Sequence, residues 1–185
     1  MCIRDRVYTL TLSIPEGTGD VLLTDALPAG MLAQSAEVLS FAAGITSANL
    51  AAGDTDASAS ITINAAGDQV QFDFGTVVSQ GFAAGLDDPA GAGDLRTVTV
   101  QVTAIVDDVA AAANGAQLTN TATLQVFDPV SGAELTDPAA PVTATETVEI
   151  VEPVLVIDKA APIAADQGAT VAYSVTVSHD ALAST

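Results

Sequence analysis

Tyr8-Thr9-Leu10-Thr11-Leu12-Ser13-Ile14 alternates large apolar and small hydroxyl side chains without a break, and Pro15-Glu16-Gly17 stops the run. A period of two is the mark of a strand with one face on a core and the other in water. Outward from this stretch the pattern recurs at Val21 to Thr24, Ala36 to Phe41, Ser60 to Asn64, Val70 to Phe74, Thr97 to Val106, Gln117 to Val126 and Thr143 to Val151. The intervals carry turn chemistry. In Leu27-Pro28-Ala29-Gly30-Met31 the proline pre-sets φ and the glycine admits a positive φ. Ala65 to Asp68 is expected to tip a hairpin between Ile61-Thr62-Ile63 and Val70-Gln71-Phe72, and Asp128 to Gly132 a second. Many strands with Thr-rich outward faces, separated by Gly, Pro, Asp and Ser, predict an all-β antiparallel sandwich. Only Val109 to Ala113 has helix-friendly composition, and Asn114-Gly115 ends it after about one turn, so it reads as a connector. Ala42 to Ser58 and Gly81 to Asp94, rich in Ala, Gly, Asp and Ser, read as long loops.

Composition narrows the function. Of 185 residues 49% are hydrophobic but 4% aromatic, with no Trp, so Val, Leu and Ile must build the core. Against 23 acidic residues stand four Lys plus Arg, giving a net charge of −19. Phosphate neutralisation needs clustered Lys and Arg, so a nucleic-acid partner is excluded and an anionic lipid surface disfavoured. No apolar run approaches the ~18 residues that suggest a membrane span, so membrane insertion of this segment is not expected. Met1 to Arg6 holds the one Cys and two of the four basic residues, which sets residues 1–6 apart as translated vector or adapter sequence. Without them the chain has no thiol chemistry and suits an oxidising exterior. Asp outnumbers Glu by 17 to 6, and self-repulsion at −19 would be strong in dilute buffer and screened in seawater-like salt.

The opening pattern returns 165 positions later, where Tyr173-Ser174-Val175-Thr176-Val177 matches Tyr8-Thr9-Leu10-Thr11-Leu12. Ahead of the second copy, Glu152-Pro153 punctuates the chain and Val154-Leu155-Val156-Ile157-Asp158-Lys159 opens a new apolar run. The expected division is residues 7–152 as one sandwich lacking its first strand, and residues 153–185 as the first two strands of the next repeat in a tandem array. Two placements of these last strands are open. They trail as a partial second domain, or one of them adds to the exposed edge of the first.

Thr24-Asp25-Ala26-Leu27-Pro28-Ala29-Gly30-Met31, then Phe74-Gly75-Thr76-Val77, then Leu118-Thr119-Asn120-Thr121-Ala122-Thr123-Leu124, stand in the order of motifs found in the bacterial and archaeal surface repeats called domain of unknown function eleven, which the chain resembles. Ile157-Asp158-Lys159 with Gly168 to Val175 is similar to that family's start. The resemblance covers most of residues 7–185. It implies an immunoglobulin-like β-sandwich, here one nearly complete module plus the start of another, in a large exported or cell-surface protein with neighbouring repeats as partners. Some related fimbrial domains join a first-strand Lys to a last-strand Asn through an amide bond, aided by a buried acid. On that pattern Asn120 is the acceptor in the first module and its lysine would precede residue 1, while Lys159 belongs to the second module. Read from the residues alone, Asp25 accepts hydrogen bonds from turn amides, Asn120 bonds neighbouring backbone, and Lys159 is a solvated charge at a strand end.

Catalytic constellations are scarce, and no enzymatic activity is expected. The sole histidine, His179, lies beside Asp180 and reads as a solvated loop residue, and one His with no structural Cys argues against zinc. Calcium is the one cofactor with candidate ligands: Asp54, Asp56, Asp87, Asp88 and Asp94 offer hard oxygens in loops, at spacings unlike an EF-hand. The competing reading is a dispersed acidic surface that keeps an apolar β-protein soluble. The function expected is a non-catalytic spacer or stalk module. The alternative is an adhesin module whose loops Ala42 to Ser58 and Gly81 to Asp94 hold calcium, a glycan or a surface protein.

Overall fold

The computed structural model describes residues 5–80, 96–107, 113–136, 142–150, 154–160, 167–168 and 170–180. Eleven strands follow in order: β1 (Asp5–Ile14), β2 (Gly17–Ala26), β3 (Met31–Phe41), β4 (Ile45–Ser47), β5 (Ile61–Ile63), β6 (Gln69–Ser79), β7 (Arg96–Val106), β8 (Gln117–Phe127), β9 (Val142–Glu149), β10 (Val154–Ala160) and β11 (Ser174–Asp180). β1 to β9 form an antiparallel β-sandwich. One sheet has the order β1-β7-β3, and the facing sheet β4-β6-β2-β8-β9 with β5 also paired to β6.

Alternation places the apolar set between the sheets. Tyr8, Leu12 and Ile14 of β1, Val98, Val100, Val102 and Ala104 of β7, and Met31, Ala36 and Val38 of β3 are buried from one side. Val21 and Leu23, then Val70, Phe72, Phe74 and Val77, then Leu118 and Ala122, meet them from the other. Phe72 and Phe74 stack at 6.4 Å between centroids, and Phe41 meets Phe74 edge-on at 6.1 Å. With no Trp, valines fill the layer, each buried side chain contributing about 1.5–3 kcal/mol.

The turn at Leu27 to Met31 closes with the Met31 amide on the Pro28 carbonyl at 3.0 Å, and Gly30 has φ of 97°. The hairpin expected at Ala65 to Asp68 joins β5 to β6, with Ile63 opposite Val70. Several boundaries differ from the sequence reading. β2 runs ten residues instead of four, because pairing with β6 along its whole length holds Gly17 to Asp20 in the ladder, β8 joining on the other side from Asp20 onward. β3 begins at Met31, directly after the turn. The stretch Ala42 to Ser58 is not all loop. It contains β4 and buries Ile45 and Leu50, and its later part follows β3, the Val38 amide bonding the Asp54 carbonyl and the Asp56 amide the Ala36 carbonyl. Gly81 to Asp94 and the connector at Val109 to Ala112 lie outside the described residues.

Asp5 and Arg6, assigned to the foreign hexapeptide, pair with Ile105 and Ala104 at the start of β1. β10 and β11 pair with each other in a separate two-stranded sheet, Lys159 opposite Val175 and Leu155 opposite His179. His179 is therefore in a strand and not in a loop. No helix among the described residues is long and apolar enough to cross a membrane.

Candidate functional site

The most unusual chemistry lies in the core. Asp25, near the end of β2, faces Ala122 of β8 across the ladder, which puts Asn120 two residues along on the same inward face. Both are buried, Asp25 with no exposure at all. Asn120 Nδ2 donates to Asp25 Oδ1 at 2.7 Å. Asp25 Oδ2 and Asn120 Oδ1 have no hydrogen-bond partner among the described residues. Burial pushes the Asp25 carboxyl up to about 6, with the Asn120 hydrogen bond pulling the other way. A carboxylic acid at the edge of neutrality thus sits against a carboxamide, both buried, able to hold or release a proton beside the amide.

Asp25 bonds Asn120 instead of turn amides, since the turn closes through its own backbone, and Asn120 reaches a side chain instead of backbone because β8 already spends its amides on β2 and β9. Sequence held one clue, an Asn inside a strand of otherwise β-favouring residues; nothing local said that its partner lay 95 positions away.

Tyr8 enters from the opposite sheet. It is buried, its hydroxyl donates to Met31 Sδ at 3.1 Å, and burial raises its pKa, with Arg6 opposing and the Asp25 and Glu146 charges adding. Between β1 and β9, each an edge strand of its sheet among the described residues, runs a groove of about 720 Å³. Tyr8, Leu10 and Leu12 line it from β1, Asn120 and Leu124 from β8, and Thr145 and Glu146 from β9. Val7 and Val142, at its rim, are more than half exposed.

The calcium candidates fare differently. Asp54 Oδ2 accepts the Ala51 amide at 2.7 Å and so caps its own loop, and Asp56 is tied to β3 through its backbone. Asp87, Asp88 and Asp94 lie outside the described residues. Among the described residues no three His, Cys, Asp or Glu side chains gather to hold a metal. Asp128 has a structural duty: its carboxylate accepts the Val130 and Ser131 amides and the Ser131 hydroxyl, which lowers its pKa and sets the turn after β8. Lys159, one residue before the end of β10, is an exposed side chain whose Nζ stands 4.6 Å from the Tyr173 ring centroid.

No family model and no curated protein matches the chain. Among solved structures it is similar to the major pilin subunit BcpA of Bacillus cereus, at 13% identity and a TM-score of 0.45, covering 83% of this chain and 36% of that one. It is similar also to a 35 kDa C-terminal fragment of the major pilin GBS80 of Streptococcus agalactiae, at 13% and 0.44, covering 83% and 51%. A collagen-binding domain from a Staphylococcus aureus adhesin gives 10% and 0.38, covering 78% and 87%. The chain spans about a third of the length of BcpA. Likenesses this distant concern the sheet architecture alone.

Proposed function

We propose that the chain is a passive load-bearing module of a large exported or cell-surface protein, one sandwich with the start of a second behind it. The observation that carries this reading is the paired ribbon at the C-terminal end. β11 repeats the residue pattern of β1 and β10 precedes it, with four residues between β9 and β10, which supports reading this ribbon as the start of a second sandwich. Neighbouring repeats of the same chain are the partners this implies. Load along such an array passes through the β1–β7, β2–β6 and β2–β8 ladders, each seven or more residue pairs long.

The Asp25–Asn120 pair supplies two of the three groups that lock related fimbrial domains, although Asn120 sits one strand before the last of its sheet. A lysine from a strand ahead of β1 would complete the set: Nζ bonds Asn120 Cγ, Nδ2 leaves as ammonia, and Asp25 relays the proton. A longer chain carrying that preceding strand would then weigh one ammonia less than its sequence.

Calcium titration followed by thermal unfolding, together with single-molecule stretching, tests the module reading. The expected result is a melting temperature indifferent to millimolar calcium and one cooperative unfolding event at high force. A melting temperature that climbs with calcium, or specific retention on a glycan surface, would favour the adhesin alternative and overturn the passive one.

A further inference from the structure

Asn114-Gly115, just ahead of β8, is the one asparagine–glycine step in the sequence; Asn49, Asn64 and Asn120 precede Leu50, Ala65 and Thr121. In the structure it forms the exposed corner of a turn. The Ala116 amide donates to the Ala113 carbonyl at 2.9 Å, Asn114 takes the first central position, and Gly115 takes the second with φ of 81°. A positive φ at the second central position alone marks a type II turn, which calls for glycine there. A Cβ added to Gly115 would meet nothing within 4 Å, so the corner stands open to water.

This turn also fastens the end of β9. The β8–β9 ladder closes with Gln117 opposite Glu149, and two further bonds extend it. The Ile150 amide donates to the Ala116 carbonyl at 2.9 Å, and the Gly115 amide donates to the Ile150 carbonyl at 2.7 Å. The Ile150 side chain is buried in the core cluster. Where the chain leaves β9 it is therefore held to the turn through both backbone groups of one residue, Ile150.

Asparagine is chemically labile, most of all before glycine, whose missing side chain lets its nitrogen approach the carboxamide. In that reaction Gly115 N attacks Asn114 Cγ, the Cγ–Nδ2 bond breaks, and Nδ2 departs as ammonia carrying the Gly115 amide hydrogen. Water then opens the five-membered imide. Attack on Cγ leaves aspartate, and attack on the main-chain carbonyl leaves isoaspartate, whose backbone runs through Cβ and Cγ. The imide nitrogen carries no hydrogen, so ring closure and the 2.7 Å bond to Ile150 exclude each other.

We propose that Asn114 is a site of self-modification gated by Ile150: deamidation is suppressed while Ile150 is seated and proceeds when the end of β9 lifts. Element ends open locally at far lower free energy than the whole fold, so the trigger is fraying of this end and not global unfolding. The isoaspartyl product places an extra atom in the main chain ahead of Gly115 N, so the Gly115 hydrogen no longer meets the Ile150 carbonyl in its former place. A transient opening is thereby recorded covalently, and the new carboxylate adds to a net charge already at −19.

Peptide mapping by mass spectrometry on the 185-residue chain, incubated in mildly alkaline buffer, tests this. Conversion is expected at Asn114, at a rate about tenfold or more below that of the same chain unfolded in guanidinium. Ile150→Ala loosens the seat and should raise the rate severalfold toward the unfolded value, in step with faster hydrogen exchange of the Gly115 amide. Ile45→Ala, a comparable buried truncation in β4, should leave the rate as in the parent. Should Ile150→Ala fail to fold, Ile150→Val gives the same change with smaller size. Asn114→Gln should abolish the conversion. A folded chain that converts as fast as the unfolded one, or an Ile150 variant no faster than Ile45→Ala, would overturn the proposal and leave the module reading standing.

Discussion

Replacing Asp25 by asparagine probes the buried acid directly. The folded carboxyl is pushed up to about 6 from an ordinary 3.8, so between those values the folded chain holds a proton that the unfolded chain has released. Stability from this group is thus fully present below about pH 4 and is lost as pH rises through 6. A gap of about two units at 1.36 kcal/mol each makes the loss about 2–3 kcal/mol. The substituted carboxamide would keep an oxygen to accept from Asn120 Nδ2, bring an amide hydrogen to the unpartnered Asn120 Oδ1, and never ionise. Asp25→Asn should equal the parent near pH 4 and exceed it near pH 7 by about 2–3 kcal/mol, or about 5–10 °C in melting temperature for a domain of this size. Urea unfolding of both chains at half-unit pH steps, in dilute protein, isolates the effect, because the other carboxylates cancel in the difference. A stability difference that stays flat from pH 4 to pH 7 would refute the reasoning, as would a variant that is weaker at neutral pH.

Two further outcomes follow from the packing and the charge. Gly75 holds φ of 57° at the irregularity where Val21 pairs with Gly75 but Leu22 with Asp73, and an added Cβ would lie 2.6 Å from Asn49 Nδ2; Gly75→Ala should cost about 1–3 kcal/mol in urea unfolding, whereas Gly132→Ala, also at positive φ but facing open space, should cost only the backbone strain. With a net charge of −19, self-repulsion opposes the folded state, so the melting temperature should climb as NaCl screens it; a melting temperature independent of salt would show that this repulsion does not weigh on the fold.

Period-two alternation made most of the sandwich readable in advance. Where Tyr8 to Ile14 or Val98 to Ala104 strictly alternate, burial follows the pattern residue by residue. β2 read as shorter than it is because Gly17 to Asp20 carry no apolar signal; their strand character comes from pairing with β6, which is tertiary information. β4 escaped notice for a similar reason, since Ile45-Thr46-Ser47 gains its shape only from pairing with β6. The candidate site was half legible. Asn120 stood out as a polar residue in a strand, while Asp25 beside Leu27-Pro28 suggested a turn cap, and only the β2–β8 register reveals that the two meet. The groove was not visible at all, because it exists between the edges of two sheets whose facing is set by the whole fold.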